Sequence, residues 1–125
     1  AERILRCGKE IQEVVPEMTV IGTGLSWMRE YGALVAAGAV GSGWFKLAGF
    51  GRQAFAYPDF PLDIFEKGGM KRSKCCISCS KCSEIMRFGG RTGCVIKDSK
   101  IYAPLYQECR DGKQTLIDDR PAEHV

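Results

Sequence analysis

Four of the chain's seven cysteines lie within nine residues, in "KCCISCSKC" at 74–82, and a further one, Cys94, follows at a distance. The spacing Cys76-x2-Cys79-x2-Cys82-x11-Cys94 is that of a metal site. Three closely spaced thiolates and one remote thiolate can wrap an iron–sulfur cubane, each capping one iron. Structural zinc more often takes two Cys-x2-Cys pairs separated by a longer loop, yet four thiolates satisfy zinc as well, and both metals stay open on spacing. Cys75 in place of Cys76 gives an x3 interval, the less regular choice. Lys71, Arg72, Lys74, Lys81, Arg87 and Arg91 surround the motif and can offset the negative charge of either metal–thiolate centre. The plain alternative is a set of free or oxidised thiols. An odd cysteine count argues against a fully paired disulfide framework. Cys7 falls on the apolar face of a helical pattern and reads as a small core residue; Cys109 reads as lying outside the site.

A second pattern suits anions. "GTGLS" (22–26) and "AGFGR" (48–52) are glycine turns that each follow an apolar run. Glycine there lets a backbone approach a ligand, and the amides at the start of a following helix form an anion site. Arg52 adds a planar, bidentate cation suited to phosphate. Tight strand-to-helix turns with no ligand are the plain reading of either stretch alone. No G-x-G-x-x-G dinucleotide fingerprint is present.

The elements that must position these residues alternate in type. Ile4, Cys7, Ile11, Val14 and Val15 recur at helical spacing over 3–15, and Pro16 stops the pattern. "MTVIG" (18–22) reads as a short buried strand. A helix with Ser26 as its N-cap then carries Trp27, Tyr31, Leu34 and Val35, with Gly38 as its stop. "WFKLAG" (44–49) reads as a second strand, followed by a short helix up to Pro58 and another over 59–67, broken by Gly68 and Gly69. This order predicts an α/β fold with parallel strands and helical crossovers. Two strands make a poor sheet alone, so they read as the closing units of a larger β/α array, and the chain as the tail end of something longer. Residues 70–94 read as basic and loop-like, 95–106 as a short strand or strap, and the last residues, with His124, as a polar tail.

The chain has 125 residues, 45% of them hydrophobic and 26% charged. That suits one modest core. A net charge of +3 is too mild to imply a nucleic-acid partner. No apolar run approaches the roughly 20 residues that span a bilayer, so no membrane partner is expected. With no secretory signal pattern, the expected compartment is the cytoplasm, where clustered cysteines bind metal or do redox chemistry.

The run "VIGTGLSWMREYGALVAAGAVGSGWFKLAGFGRQAFAYPDFP", followed by "CISCSKC", resembles the old yellow enzyme, or NADH:flavin oxidoreductase, family. The cysteine segment is similar to that family's iron–sulfur branch, such as 2,4-dienoyl-CoA reductase. The likeness covers about residues 3–106. It implies the last two βα units of a TIM (β/α)8 barrel, followed by a cysteine-rich metal-binding loop segment. The implied division is 1–69, part of the flavin-binding barrel; 70–110, the iron–sulfur segment; and 111–125, the polar tail.

By the resemblance, FMN phosphate is held by Gly24, Leu25 and Ser26 and by Gly51 and Arg52, and a 4Fe–4S cluster by Cys76, Cys79, Cys82 and Cys94. NADH or NADPH reduces the flavin, and the cluster relays single electrons. No catalytic residue is implied, because the barrel's first six strands carry those groups. Iron–sulfur members commonly read C-I-G-C-N where this chain has "CISCS" (76–80). The rival reading is a non-enzymatic module stabilised by zinc on the same four cysteines. A quarter barrel leaves Val20, Ile21, Trp44, Phe45 and Leu47 on strands whose faces parallel sheets normally bury. The expected partners are therefore the remainder of the barrel or a second copy, in a homodimer.

Overall fold

The computed structural model describes residues 1–112; the stretch read as a polar tail, with His124, lies largely outside them. The chain forms two compact units, the first Ala1–Cys79 and the second beginning at Ser80. The division falls inside the cysteine motif.

In the first unit, α1 (Glu2–Val14) ends just before Pro16, whose ring cannot continue a helix. Its buried residues are Leu5 and Gln12. The apolar stripe expected to face the core points outward instead, with Ile4 48%, Ile11 54% and Val14 80% exposed. Cys7 is exposed too, which corrects its reading as a core residue. The cause is Gln12. Its Nε2 donates to the carbonyls of Val15 at 3.2 Å and Met18 at 3.0 Å, while its Oε1 accepts the Val20 N–H at 3.3 Å. One buried amide thus satisfies the end of α1 and the chain leading into the first strand.

The strands are shorter than the apolar runs that predict them: β1 is Ile21–Gly22 and β2 is Leu47–Ala48. They pair in parallel, Ile21 with Leu47 and Gly22 with Ala48, as expected, and the Gly49 N–H continues the ladder to the Gly22 carbonyl at 2.7 Å. Leu5, Leu25, Ala36, Ala39 and Phe45 form the core beside them. Ile21 and Leu47 share the other face and stay 55% and 53% exposed.

Between the strands, Gly24 takes φ 87° and opens a 3₁₀ turn, Leu25–Tyr31, which kinks at Arg29 (φ 52°) into α2 (Gly32–Gly41). Gly38, the expected stop, lies inside α2; the left-handed turn comes later, at Gly43. After β2 come α3 (Gly51–Ala56) and α4 (Phe60–Lys67), the latter ending at left-handed Gly68 as expected.

Tyr57, Met70 and Cys75 make a second buried cluster, with Phe50, Phe60 and Ile64 packed against it. Asp63 is buried at its edge. Its carboxylate accepts from Lys67 Nζ at 2.5 Å and from the Tyr57 hydroxyl, and Lys74 Nζ lies 3.7 Å away. The Lys67 and Tyr57 hydrogen bonds hold its pKa down at about 2, against an ordinary 3.8. A folded pKa below the unfolded one contributes stability above the unfolded value and loses it as pH falls through the folded value. Urea midpoints of the wild-type protein should therefore drop between about pH 4 and pH 2 by more than those of Asp63→Asn, which has no charge to titrate. Parallel declines in the two proteins would contradict this role.

In the second unit, α5 (Lys81–Arg87) and α6 (Ser99–Arg110) pack through Ile85, Val95 and Cys109, with Tyr102, Ala103 and Tyr106 against them. Two expectations are corrected here. The stretch read as loop-like contains α5, and the stretch read as a strand or strap leads into α6. Tyr102 and Tyr106 supply α6 with a packing face that outweighs the β-branched residues and Pro104. Among the described residues no helix is long and apolar enough to cross a membrane.

Candidate metal and anion site

Because β1 and β2 are adjacent and parallel, the segments that follow them leave from the same end of the pair. After β1 the chain passes Gly24 into the 3₁₀ turn; after β2 it enters α3 at Gly51 and Arg52. The two segments are joined directly. Ser26, expected as an N-cap, is buried and makes no cap bond; its Oγ instead accepts the Gln53 N–H at 3.2 Å. The guanidinium of Arg52 lies over the Trp27 ring, 5.2 Å from its centroid, a cation–π contact that braces the head group beside the first turn. Gly24, Leu25, Ser26, Gly51 and Arg52 thus belong to two neighbouring turns held together by named contacts.

The cysteines fall into two pairs, Cys76 and Cys79 in the first unit, Cys82 and Cys94 in the second. None is in a disulfide. Among the described residues, no three His, Cys, Asp or Glu side chains come together as a metal-holding group. Two of the four sulfurs do accept backbone hydrogen bonds. The Ser78 N–H donates to Cys76 Sγ at 3.3 Å and the Lys97 N–H to Cys94 Sγ at 3.3 Å. Backbone hydrogen bonds to sulfur are one of the means by which a protein tunes a cluster.

Cys82 rides on α5, where the Thr92 hydroxyl donates to its carbonyl at 2.5 Å. The Tyr106 hydroxyl donates to Glu84 at 2.6 Å and so fixes α5 against α6. Gly93 lets the Tyr102 ring lie against the backbone just before Cys94, since a Cβ there would fall 2.1 Å from the ring.

Ser78 and Ser80 both take left-handed backbone, φ 58° and 63°. These are the two positions where the resembled pattern has Gly and Asn, the residues that best tolerate such conformations. Serine holds both left-handed positions at some cost in strain. Ser78 Oγ is also buried without a partner. Ser78→Gly relieves the strain and removes the orphan hydroxyl, and should stabilise the protein by about 1 kcal/mol after the entropy that glycine adds to the unfolded chain. Chemical unfolding measures this; a destabilised Ser78→Gly would contradict it.

The surrounding bases are less available than the sequence implies. Arg72 pairs with Glu30 at 3.2 Å and Lys74 with Asp59 at 2.6 Å. The Lys74 hydrogen bond holds Asp59 below the usual carboxylate range. Lys81 lies over the Tyr106 ring, 5.2 Å from its centroid.

Sequence reasoning missed Gln53. Its side chain is completely buried, its Oε1 accepts the Cys76 N–H at 3.0 Å, and its Nε2 reaches Met70 Sδ at 3.7 Å. Nothing near it in sequence marks it, because its partners are 17 to 27 positions away.

The chain matches no family model, no curated protein and no solved structure.

Proposed function

We propose that the chain is the C-terminal part of an FMN-dependent, iron–sulfur flavin oxidoreductase of the old yellow enzyme type, built on the last two βα units of a TIM barrel. The observation that carries this reading is the pair of glycine turns after adjacent parallel strands, tied by the Ser26–Gln53 hydrogen bond and flanked by Arg52. In β/α barrels the loops after the last two strands are the usual phosphate site. Gly24 and Gly51 let the backbone come close to a phosphate, the amides of Leu25 and Ser26 face it as donors, and Arg52 binds its oxygens with a two-pronged fork. Cys76, Cys79, Cys82 and Cys94 hold the metal as thiolates, with the Ser78 and Lys97 amides supporting two of the sulfurs. When bound, the flavin and cluster supply hydride acceptance and single-electron transfer.

In full-length protein, anaerobic addition of NADH or NADPH should bleach the flavin absorbance. A flavin that neither nucleotide reduces would contradict the oxidoreductase reading.

The exposed Ile21–Leu47 face supports the barrel. Parallel strands are normally covered on both faces, and bare edges invite pairing with another chain. The remaining strands of the barrel cover this face in the full-length protein. Residues 1–125 expressed alone should therefore self-associate, most simply as a two-fold dimer. Sedimentation at micromolar concentration tests this, and a compact monomer across a wide dilution range would remove the barrel from the account.

A further inference from the structure

We infer that Arg29 is a further anion-binding residue, which holds the flavin phosphate together with Arg52. The inference rests on the flavin reading above. Arg29 lies in the connection between β1 and α2, at the kink inside Leu25–Tyr31. Its backbone stands at φ 52°, ψ −125°, a combination open to glycine and strained for any residue with a Cβ. The bend folds the start of α2 back against both glycine turns. At Gly32 a Cβ would fall 3.0 Å from the Leu25 carbonyl oxygen and 2.9 Å from the Phe50 ring. Leu25 belongs to the first turn, and Phe50 immediately precedes Gly51 in the second.

Arginine costs the folded protein twice at this position. Backbone strain is one cost. The other is Nε, which is buried with no hydrogen-bond partner among the described residues, and a buried donor left unpaired is destabilising. No ion pair offsets these costs. The adjacent carboxylate, Glu30, is taken by Arg72 at 3.2 Å, and among the described residues no carboxylate pairs with Arg29. Glycine would make the same bend without either cost. What arginine alone adds is a fixed charge and a planar fork of donors matched to phosphate oxygens. Arg29 is half-buried, so its charge is neither sealed in the core nor loose in solvent. A phosphate monoester carries close to two negative charges at neutral pH, of which Arg52 balances one. Strain kept where it brings the fold nothing marks a site that uses the side chain.

The test is a pair of titrations, with FMN and with riboflavin, on full-length protein freed of flavin. Riboflavin has the same ring system and lacks the phosphate, so the ratio of the two Kd values reads the phosphate contacts. Arg29→Gly should raise the urea midpoint and weaken FMN binding about tenfold or more, the scale of one charged hydrogen bond. Its riboflavin affinity should match wild type. Arg29→Lys keeps the charge and should retain part of the preference for FMN. A merely structural arginine would leave that preference at its wild-type value in Arg29→Gly, which would overturn the inference. Equal losses for the two ligands would overturn it as well, and so would an Arg29→Gly protein that fails to fold, since glycine is expected to relieve the bend. All three results would leave the functional reading standing. Wild-type protein that binds neither FMN nor riboflavin would overturn the functional reading, and this inference with it.

Discussion

Cys76→Ser is expected to strip iron and sulfide from the anaerobically purified protein, whereas Cys75→Ser is expected to keep both. The two residues are adjacent and both buried, and spacing alone leaves either as the first ligand. Their hydrogen bonds separate them. Cys75 Sγ donates to the Lys71 carbonyl at 3.5 Å within the cluster of Tyr57 and Met70. Serine can replace cysteine in that contact with a carbonyl. Cys76 Sγ accepts the Ser78 N–H at 3.3 Å, a contact that stays available to a metal-bound sulfur. Serine at 76 provides a poor ligand for iron, and Cys79→Ser should behave in the same way. Iron retained in Cys76→Ser and lost in Cys75→Ser would move the first ligand by one residue.

The second large effect concerns FMN. Arg52→Ala in full-length protein should weaken FMN binding by about 1.5–3 kcal/mol, the scale of a charged hydrogen bond, or roughly 10- to 150-fold in Kd. Arg52→Lys should fall between, because it keeps the charge and loses both the fork and the stacking plane over Trp27. A titration of the mutant apoenzyme that returns the wild-type affinity would remove Arg52 from the phosphate site. Equal losses in the Lys and Ala variants would instead show that the planar head group matters and its charge does not.

Where the chain punctuates itself, its sequence is legible. Pro16 and Gly68 end helices as expected, and two apolar runs flanking a helical pattern pair in parallel. Each signal acts within a few residues. The inward face of α1 was not legible, because Gln12 is drawn inside by carbonyls at the helix end and displaces Ile4, Ile11 and Val14 outward. Helix α6 was hidden by β-branched residues and an internal proline, and its stability comes from Tyr102 packing on Gly93 and Tyr106 bonding to Glu84. Ser26 looks like a cap by type and position, yet its hydroxyl serves a residue 27 positions on. The metal and phosphate candidates could be named from local spacing, but among the described residues the four cysteines do not come together as a metal-holding group. Gln53 could not be named, because its role exists only after the chain has folded.

Iron, acid-labile sulfide, zinc and FMN per chain, measured on full-length protein purified without oxygen, distinguish an iron–sulfur flavoprotein from a zinc module. About four irons and four sulfides, the content of a single cubane, are expected together with about one FMN per phosphate site. Zinc at about one per chain, the content of a four-cysteine structural site, with no sulfide even after anaerobic reconstitution and no bound flavin, would contradict the iron–sulfur flavoprotein reading.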